Sequence, residues 1–188
     1  EMSGGEISNC SASLGGAVYV HESQNATGTK VSGVFTMSGT AKITNCTSKN
    51  EGGGVYIAGG SISMSGGTIS ACTGTQGGGV YIPANAIFTM TGGTITSCRA
   101  SSLGSGIYTL GELNISGSAV IDSNKPNDWD AISYTDGYPQ VKKGGVYGGG
   151  IYALGEAAVI NMSGGRISNN WAPSGAGVML WVGSTMTM

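Results

Sequence analysis

A short phrase in which large apolar residues flank a single small polar one returns along the chain: Phe35-Thr36-Met37, Ile62-Ser63-Met64, Phe88-Thr89-Met90, Leu113-Asn114-Ile115 and Ile160-Asn161-Met162. A period of two puts both apolar residues on one face, which predicts strands rather than helices. A second phrase follows, Thr68-Ile69-Ser70 and Thr94-Ile95-Thr96, with one apolar residue between hydroxyls. It is too short to stand alone and must be paired above and below. A third, Gly54-Val55-Tyr56-Ile57, Gly79-Val80-Tyr81-Ile82 and Gly106-Ile107-Tyr108-Thr109, sends Val or Ile inward and Tyr outward by the same alternation.

These phrases belong to one repeat. Its copies run from Met2 to Cys10, Met37 to Cys46, Met64 to Cys72, Met90 to Cys98, Ile115 to Asn124 and Met162 to Asn170. From Met2 through Met37, Met64, Met90, Ile115 and Met162 to Met188, the steps are 35, 27, 26, 25, 47 and 26 residues. Two steps therefore carry insertions, at 21–33 and 125–147. A period of this length is a solenoid signature, because one unit cannot bury its own apolar face and must stack on its neighbours. Helical solenoids fail on composition: 36 glycines at recurrent places would each cost about 1 kcal/mol relative to Ala inside a helix. Leucine-rich repeats share the period, but the chain has few leucines and no helical segment. The expected fold is all-β, a single-stranded right-handed parallel β-helix with three short strands per coil and about six to seven coils of about 26 residues. Gly66-Gly67 and Gly92-Gly93 are expected to turn the first sheet into the second, since glycine reaches positive φ without strain. The extra residue between Met37 and Ile43, and between Ile115 and Ile121, reads as a bulge or a wider turn.

The whole of 1–188 forms one repeat domain. Neither end carries a signal peptide or capping helix, and the repeat runs into both, so a fragment of a larger surface protein is expected, with further coils of the same parent chain as its neighbours. Only 10% of residues are charged and the net charge is -2, which leaves no electrostatic case for nucleic acid. No apolar run is long enough for a membrane span.

Cys10, Cys46, Cys72 and Cys98 hold one position in successive copies, continued by Asn124 and Asn170. An even cysteine count invites a disulfide reading, yet stacked equivalent side chains run parallel and suit a disulfide dihedral poorly. A buried ladder of free thiols packing as small hydrophobes is the expectation. A single line of thiolates cannot wrap a tetrahedral ion, so no metal is assigned, and no cofactor is expected.

The insertion at 125–147 is the widest departure from the repeat, and within it Asp128, Trp129, Asp130, Tyr134, Asp136 and Tyr138 gather chemistry that the rungs lack. A glycan could stack on Trp129 while Asp128 or Asp130 accepts its hydroxyls, or Trp129 could fold back and pin the loop. Asp128, Asp130 and Asp136 could also meet calcium, although their spacing lacks the EF-hand pattern. In the insertion at 21–33, His21 is the chain's single histidine, which argues against histidine metal clusters and Ser-His-Asp triads.

Tyr19, Tyr56, Tyr81, Tyr108 and Tyr152 form an outward, exposed aromatic column, either a stabilising stack or a binding stripe. Outward hydroxyl rows, Ser8, Thr44, Ser70, Thr96, Asp122 and Ser168 beside Glu6, Lys42, Thr68, Thr94, Val120 and Arg166, resemble an ice-binding array, but the charged members break its regularity. Polysaccharide lyases and hydrolases of this architecture need clustered acids. The rungs offer isolated charges, with Asp122 and Arg166 close enough in adjacent coils for a surface ion pair.

Gly77-Gly78-Gly79-Val80-Tyr81, Gly15-Gly16-Ala17-Val18-Tyr19, and the spacings Ile121 to Asn124 and Ile167 to Asn170 resemble the glycine and asparagine motifs of bacterial β-helical surface proteins, including the polymorphic outer-membrane adhesins. The phrase Met64-Ser65-Gly66-Gly67-Thr68-Ile69-Ser70 is similar to repeats in very large cell-wall proteins of gut anaerobes. This resemblance covers the chain outside the insertions. It implies secretion, display at the cell surface or wall, and adhesion to a glycan or to a protein of a host or neighbouring cell, with no chemistry. The competing expectation is part of a β-helical polysaccharide lyase or glycoside hydrolase.

Overall fold

The computed structural model describes residues 1–127, the backbone of two short strands at Ser133–Thr135 and Tyr138–Gln140, and residues 146–188. The described chain is all strand and turn, without a helix, and its strands stack in parallel into three sheets of a β-solenoid of about five turns.

The long sheet carries the first two phrases. Down its face Phe35, Ile62, Phe88, Leu113, Ile160 and Met186 lie in register, and beside them Met37, Met64, Met90, Ile115 and Met162. A third column, Ile7, Ile43, Ile69, Ile95, Ile121 and Ile167, comes from the second phrase. The Gly-Val-Tyr sheet closes the interior from its own side with Val18, Val55, Val80, Ile107, Ile151 and Val178. Met64 and Met90 are 1% and 0% exposed, and Phe88 is wholly buried. At both ends of the rod the equivalent residues, Met2, Ile7 and Val18 or Ile167, Val178 and Met186, are only partly covered. A coil is dry only where a coil lies on each side of it.

The sheets divide the coil differently from the expectation. The first and second phrases belong to one sheet, and in two coils they run through without a break as Gly60–Ser70 and Ala86–Thr96. Gly67 and Gly93, both at φ 82°, bend that strand rather than separate two sheets. A Cβ on Gly67 would lie 2.5 Å from the Ala41 carbonyl oxygen of the coil below, so the bend is glycine by close approach as well as by φ. Where the coil has its extra residue, the bend becomes a four-residue turn instead of a bulge. Ala41 N–H donates to the Ser38 carbonyl at 3.2 Å, and Ala119 N–H to the Ser116 carbonyl at 3.3 Å.

The remaining sheet was not foreseen. Ser11–Ala12, Thr47–Ser48, Thr73–Gln76, Arg99–Leu103 and Lys125–Pro126 stack just after the cysteine position. These segments are short, polar and without alternation, and they are strands because stacked coils supply their hydrogen bonds. Each coil leaves the long sheet through one residue of left-handed backbone, Asn9, Asn45, Ala71, Ser97, Ser123 or Asn169, at φ of 50–56°. Asn tolerates this conformation; Ala does so at a cost of roughly 1–2 kcal/mol.

Each insertion contains an antiparallel pair of strands. In the first, Glu22–Gln24 pairs with the start of Lys30–Met37. Asn25 Oδ1 accepts from the Thr27 and Thr29 amides and the Thr27 hydroxyl, and Lys30 Nζ sits 2.7 Å from Glu22. In the second, Ser133–Thr135 pairs with Tyr138–Gln140, with Tyr134 opposite Pro139 and Thr135 opposite Tyr138.

Candidate functional site

The inward corner after each second-phrase strand holds the thiols and asparagines. Cys46, Cys72 and Cys98 are completely buried, whereas Cys10, with no coil beneath it in this chain, is exposed. The ladder expectation thus holds for three of its members and is corrected for Cys10. All four are free thiols. Their attitude repeats from coil to coil. Cys10, Cys46, Cys72 and Cys98 each donate to the carbonyl two residues earlier, of Ser8, Thr44, Ser70 and Thr96, at 3.3–3.4 Å. The last three also point at the inward isoleucine carbonyl of the coil below, Ile7, Ile43 and Ile69, at 3.8–4.0 Å.

Asn124 takes over the same post. Its Nδ2 donates to the Ile95 carbonyl at 3.1 Å and to Asn170 Oδ1 at 2.9 Å, and its Oδ1 accepts from the Cys98 backbone N–H at 3.0 Å. Asn170 repeats the contact by donating to the Ile121 carbonyl at 2.9 Å. Backbone groups of the preceding rung favour the thiolate form at Cys46, Cys72 and Cys98, against the burial that opposes it. Thiol and amide are interchangeable here because each donates to the isoleucine carbonyl of the coil below. The signal for this in the sequence was the Cys-to-Asn replacement at a fixed place in the repeat. Burial pushes the Cys46 thiol up and the Cys98 thiol well up, since a thiolate would lose its hydration.

On the outer face of the Gly-Val-Tyr sheet the tyrosines stand in one stack. Ring centroids are 5.3 Å apart for Tyr19 and Tyr56, 5.1 Å for Tyr56 and Tyr81, 5.0 Å for Tyr81 and Tyr108, and 5.5 Å for Tyr108 and Tyr152, with interplanar angles of 8–10°. The column is not uniformly exposed. Tyr19 is open, Tyr56 and Tyr81 are half-buried, and Tyr108 and Tyr152 are buried at 3% and 6%. Interior rings spend both faces on each other, so they offer no free face to a stacked sugar. Desolvation, and then the charges of neighbouring rings and Glu51, push the Tyr81 hydroxyl up and the Tyr108 hydroxyl up to about 12. Each stacked pair contributes about 0.5–1.5 kcal/mol beyond its buried area.

The hydroxyl rows of the long sheet are in register as expected, Ser8 through Ser168 beside Glu6 through Arg166. Their charged members are drawn into local contacts, with Thr44 Oγ1 donating to Glu6 at 2.6 Å. Asp122 accepts from Ser123 and Ser168 at 2.6 Å and from Asn169 at 2.9 Å. Those bonds, led by Ser123, hold its carboxyl below the usual range. Arg166 acts on Asp122 only as a more distant charge, because it stands opposite Val120 and Asp122 stands opposite Ser168. The expected ion pair is thus replaced by hydroxyl and amide donors.

Of the loop candidates, Asp128, Trp129, Asp130 and Asp136 lie outside the described residues, and Tyr134 and Tyr138 are placed by backbone alone. Among the described residues, no three His, Cys, Asp or Glu side chains gather where they could hold a metal ion, and no helix is long and apolar enough to cross a membrane. Comparison of the chain with family models, curated proteins and solved structures gave no match.

Proposed function

We propose that this chain is a noncatalytic segment of an extracellular surface or cell-wall protein, a stiff rod that presents the loop at 125–147 to a glycan or to a protein on a host or neighbouring cell. The observation that carries this reading is how the described polar chemistry is used. Asn124, Asn170, Asp122 and the thiols of Cys46, Cys72 and Cys98 bond coil to coil, and the interior tyrosine faces are covered by one another. Each insertion contains an antiparallel pair of short strands, and the sequence of the larger one carries Trp129, Tyr134 and Tyr138. A rigid scaffold carrying an aromatic, acidic loop suits recognition. Further coils of a parent chain would lengthen the rod without changing the mode of display.

The test is a screen of the chain against glycan and host-protein arrays, repeated with Trp129, Tyr134 and Tyr138 replaced together by alanine. Binding that disappears in the triple variant while the circular dichroism spectrum stays unchanged supports the reading. Binding that survives at full strength removes the loop from it, and turnover of a polysaccharide by the isolated chain replaces it with the lyase or hydrolase alternative.

A further inference from the structure

Five stretches of the chain have the form Asn-x-Ser/Thr with x other than proline: Asn9-Cys10-Ser11, Asn25-Ala26-Thr27, Asn45-Cys46-Thr47, Asn114-Ile115-Ser116 and Asn161-Met162-Ser163. This form is the acceptor signature for a glycan attached through the asparagine nitrogen, and it needs a carboxamide that an enzyme can reach. The fold separates the five. Asn114 and Asn161 lie inside strands paired on both sides, and their amide nitrogens are spent. Asn114 Nδ2 donates to Glu112 at 2.7 Å, and Asn161 Nδ2 to Asn114 Oδ1 at 2.9 Å. Asn9 and Asn45 stand at left-handed corners, each with its motif hydroxyl, on Ser11 or Thr47, drawn into a strand of the stack.

Asn25 is placed differently. It opens the turn between Glu22–Gln24 and Lys30–Met37, where its N–H donates to the Thr29 carbonyl and its carbonyl accepts from Gly28, both at 2.9 Å. Residues 25–29 are all exposed. Asn25 Oδ1 accepts from the Thr27 amide at 3.0 Å, the Thr27 hydroxyl at 2.7 Å and the Thr29 amide at 2.9 Å, so the carboxamide is held by its oxygen. Its Nδ2 has no partner among the described residues. The nitrogen that takes a glycan is thus free and in the open, two residues from the hydroxyl that completes the motif.

We infer that Asn25 is an N-glycosylation acceptor, supplied from a glycan carried on a lipid pyrophosphate. Nδ2 bonds to the anomeric carbon, the bond from that carbon to the pyrophosphate oxygen breaks, and the lipid pyrophosphate leaves. One Nδ2 proton passes to a base of the transferring enzyme, and nothing is oxidised or reduced. A turn at the tip of a hairpin can bend into that enzyme's site, whereas a strand hydrogen-bonded on both sides cannot, so transfer to the folded chain selects Asn25 over Asn114 and Asn161. A bulky hydrophilic group here adds to the solubility of a chain in which only 10% of residues are charged. In the cell the site rests on the extracellular reading, since the chain meets such an enzyme only on export; a reaction on the purified chain tests the site without it.

The folded full chain, free of glycan, is incubated with a purified eukaryotic oligosaccharyltransferase and a dolichyl-pyrophosphate-linked oligosaccharide. The product is expected to carry a single glycan that is lost in Asn25→Gln and in Thr27→Ala, and kept in Thr27→Ser, Asn45→Gln and Asn161→Gln. Release by an amidase in heavy-oxygen water turns the occupied asparagine into a labelled aspartate, which peptide mass locates. No transfer to the wild type, transfer at another asparagine in place of Asn25, or transfer to Thr27→Ala equal to wild type overturns the assignment, and none of these results bears on the array screen.

Discussion

Replacing Asn124 tests whether the corner ladder is held by hydrogen bonds or by packing alone. Asn124 is completely buried, and its amide serves the Ile95 carbonyl and the Cys98 N–H, neither of which reaches water. Asn124→Ala orphans the Cys98 N–H, while the Ile95 carbonyl keeps its place in the parallel ladder, so at roughly 1–3 kcal/mol for one orphaned buried group the loss is expected at about 1–3 kcal/mol. Asn170 Oδ1 keeps the backbone N–H of residue 124 as a donor, so the damage stays within one rung. Asn124→Cys is the informative partner. A thiol at this post donates to the isoleucine carbonyl below, as in Cys72 and Cys98. Its cost is expected at about 1 kcal/mol, the difference between amide and weaker thiol bonds. Equilibrium urea unfolding of the three proteins, read as a change of midpoint at constant slope, measures both. If the alanine variant lies within about 0.5 kcal/mol of wild type, or if the cysteine variant is as unstable as alanine, the hydrogen-bonded ladder is wrong.

Ala71 carries φ 52° where Asn9, Asn45 and Asn169 do the same work in other coils, so Ala71→Asn is expected to raise stability by about 0.5–1 kcal/mol; a lower urea midpoint would refute it. Ser105 is completely buried and its hydroxyl has no partner, so Ser105→Ala is expected to leave stability unchanged or raise it by up to about 1 kcal/mol; a loss would show the hydroxyl to be bonded. Alkali should unfold the rod. Cys46, Cys98, Tyr81 and Tyr108 hold their protons to higher pH in the fold than the unfolded chain does, at about 8.5 for thiols and about 10 for tyrosine. The unfolded state then binds fewer protons, so stability is complete below about pH 8.5 and falls as pH rises through this window. Tyr81→Phe should make the decline above about pH 10 shallower, and a wild-type midpoint that stays flat from neutral pH into that range would contradict it.

Much of the architecture was legible from the chain. The period-two phrases and their spacing determined which residues face inward and which stack on which, because a coil of constant length returns equivalent residues to one column. The alignment of Met64 with Met90, of Ile69 with Ile95 and of Tyr56 with Tyr81 needed no coordinates, and neither did the inward cysteine position. The function class was less legible, since the loop at 125–147 breaks the repeat that makes the rest predictable.

What tertiary structure alone decided lies at the corners and on the lateral faces. The strands at Thr47–Ser48 and Thr73–Gln76 carry no alternation of their own and owe their conformation to hydrogen bonds from coils about 26 residues away in sequence. Left-handed backbone at Ala71 and Ser97 has no glycine to announce it; stacking on Asn45 and Ser123 imposes it. Tyr108 and Tyr152 read as exposed from alternation, but alternation reports only the direction of a side chain, and what covers it belongs to neighbouring coils. Asp122 chose Ser168 and Asn169 over Arg166 because register set the nearest donor. A repeat specifies its own interior through its period, whereas a turn or an outer face depends on contacts that arise only once the coils are stacked.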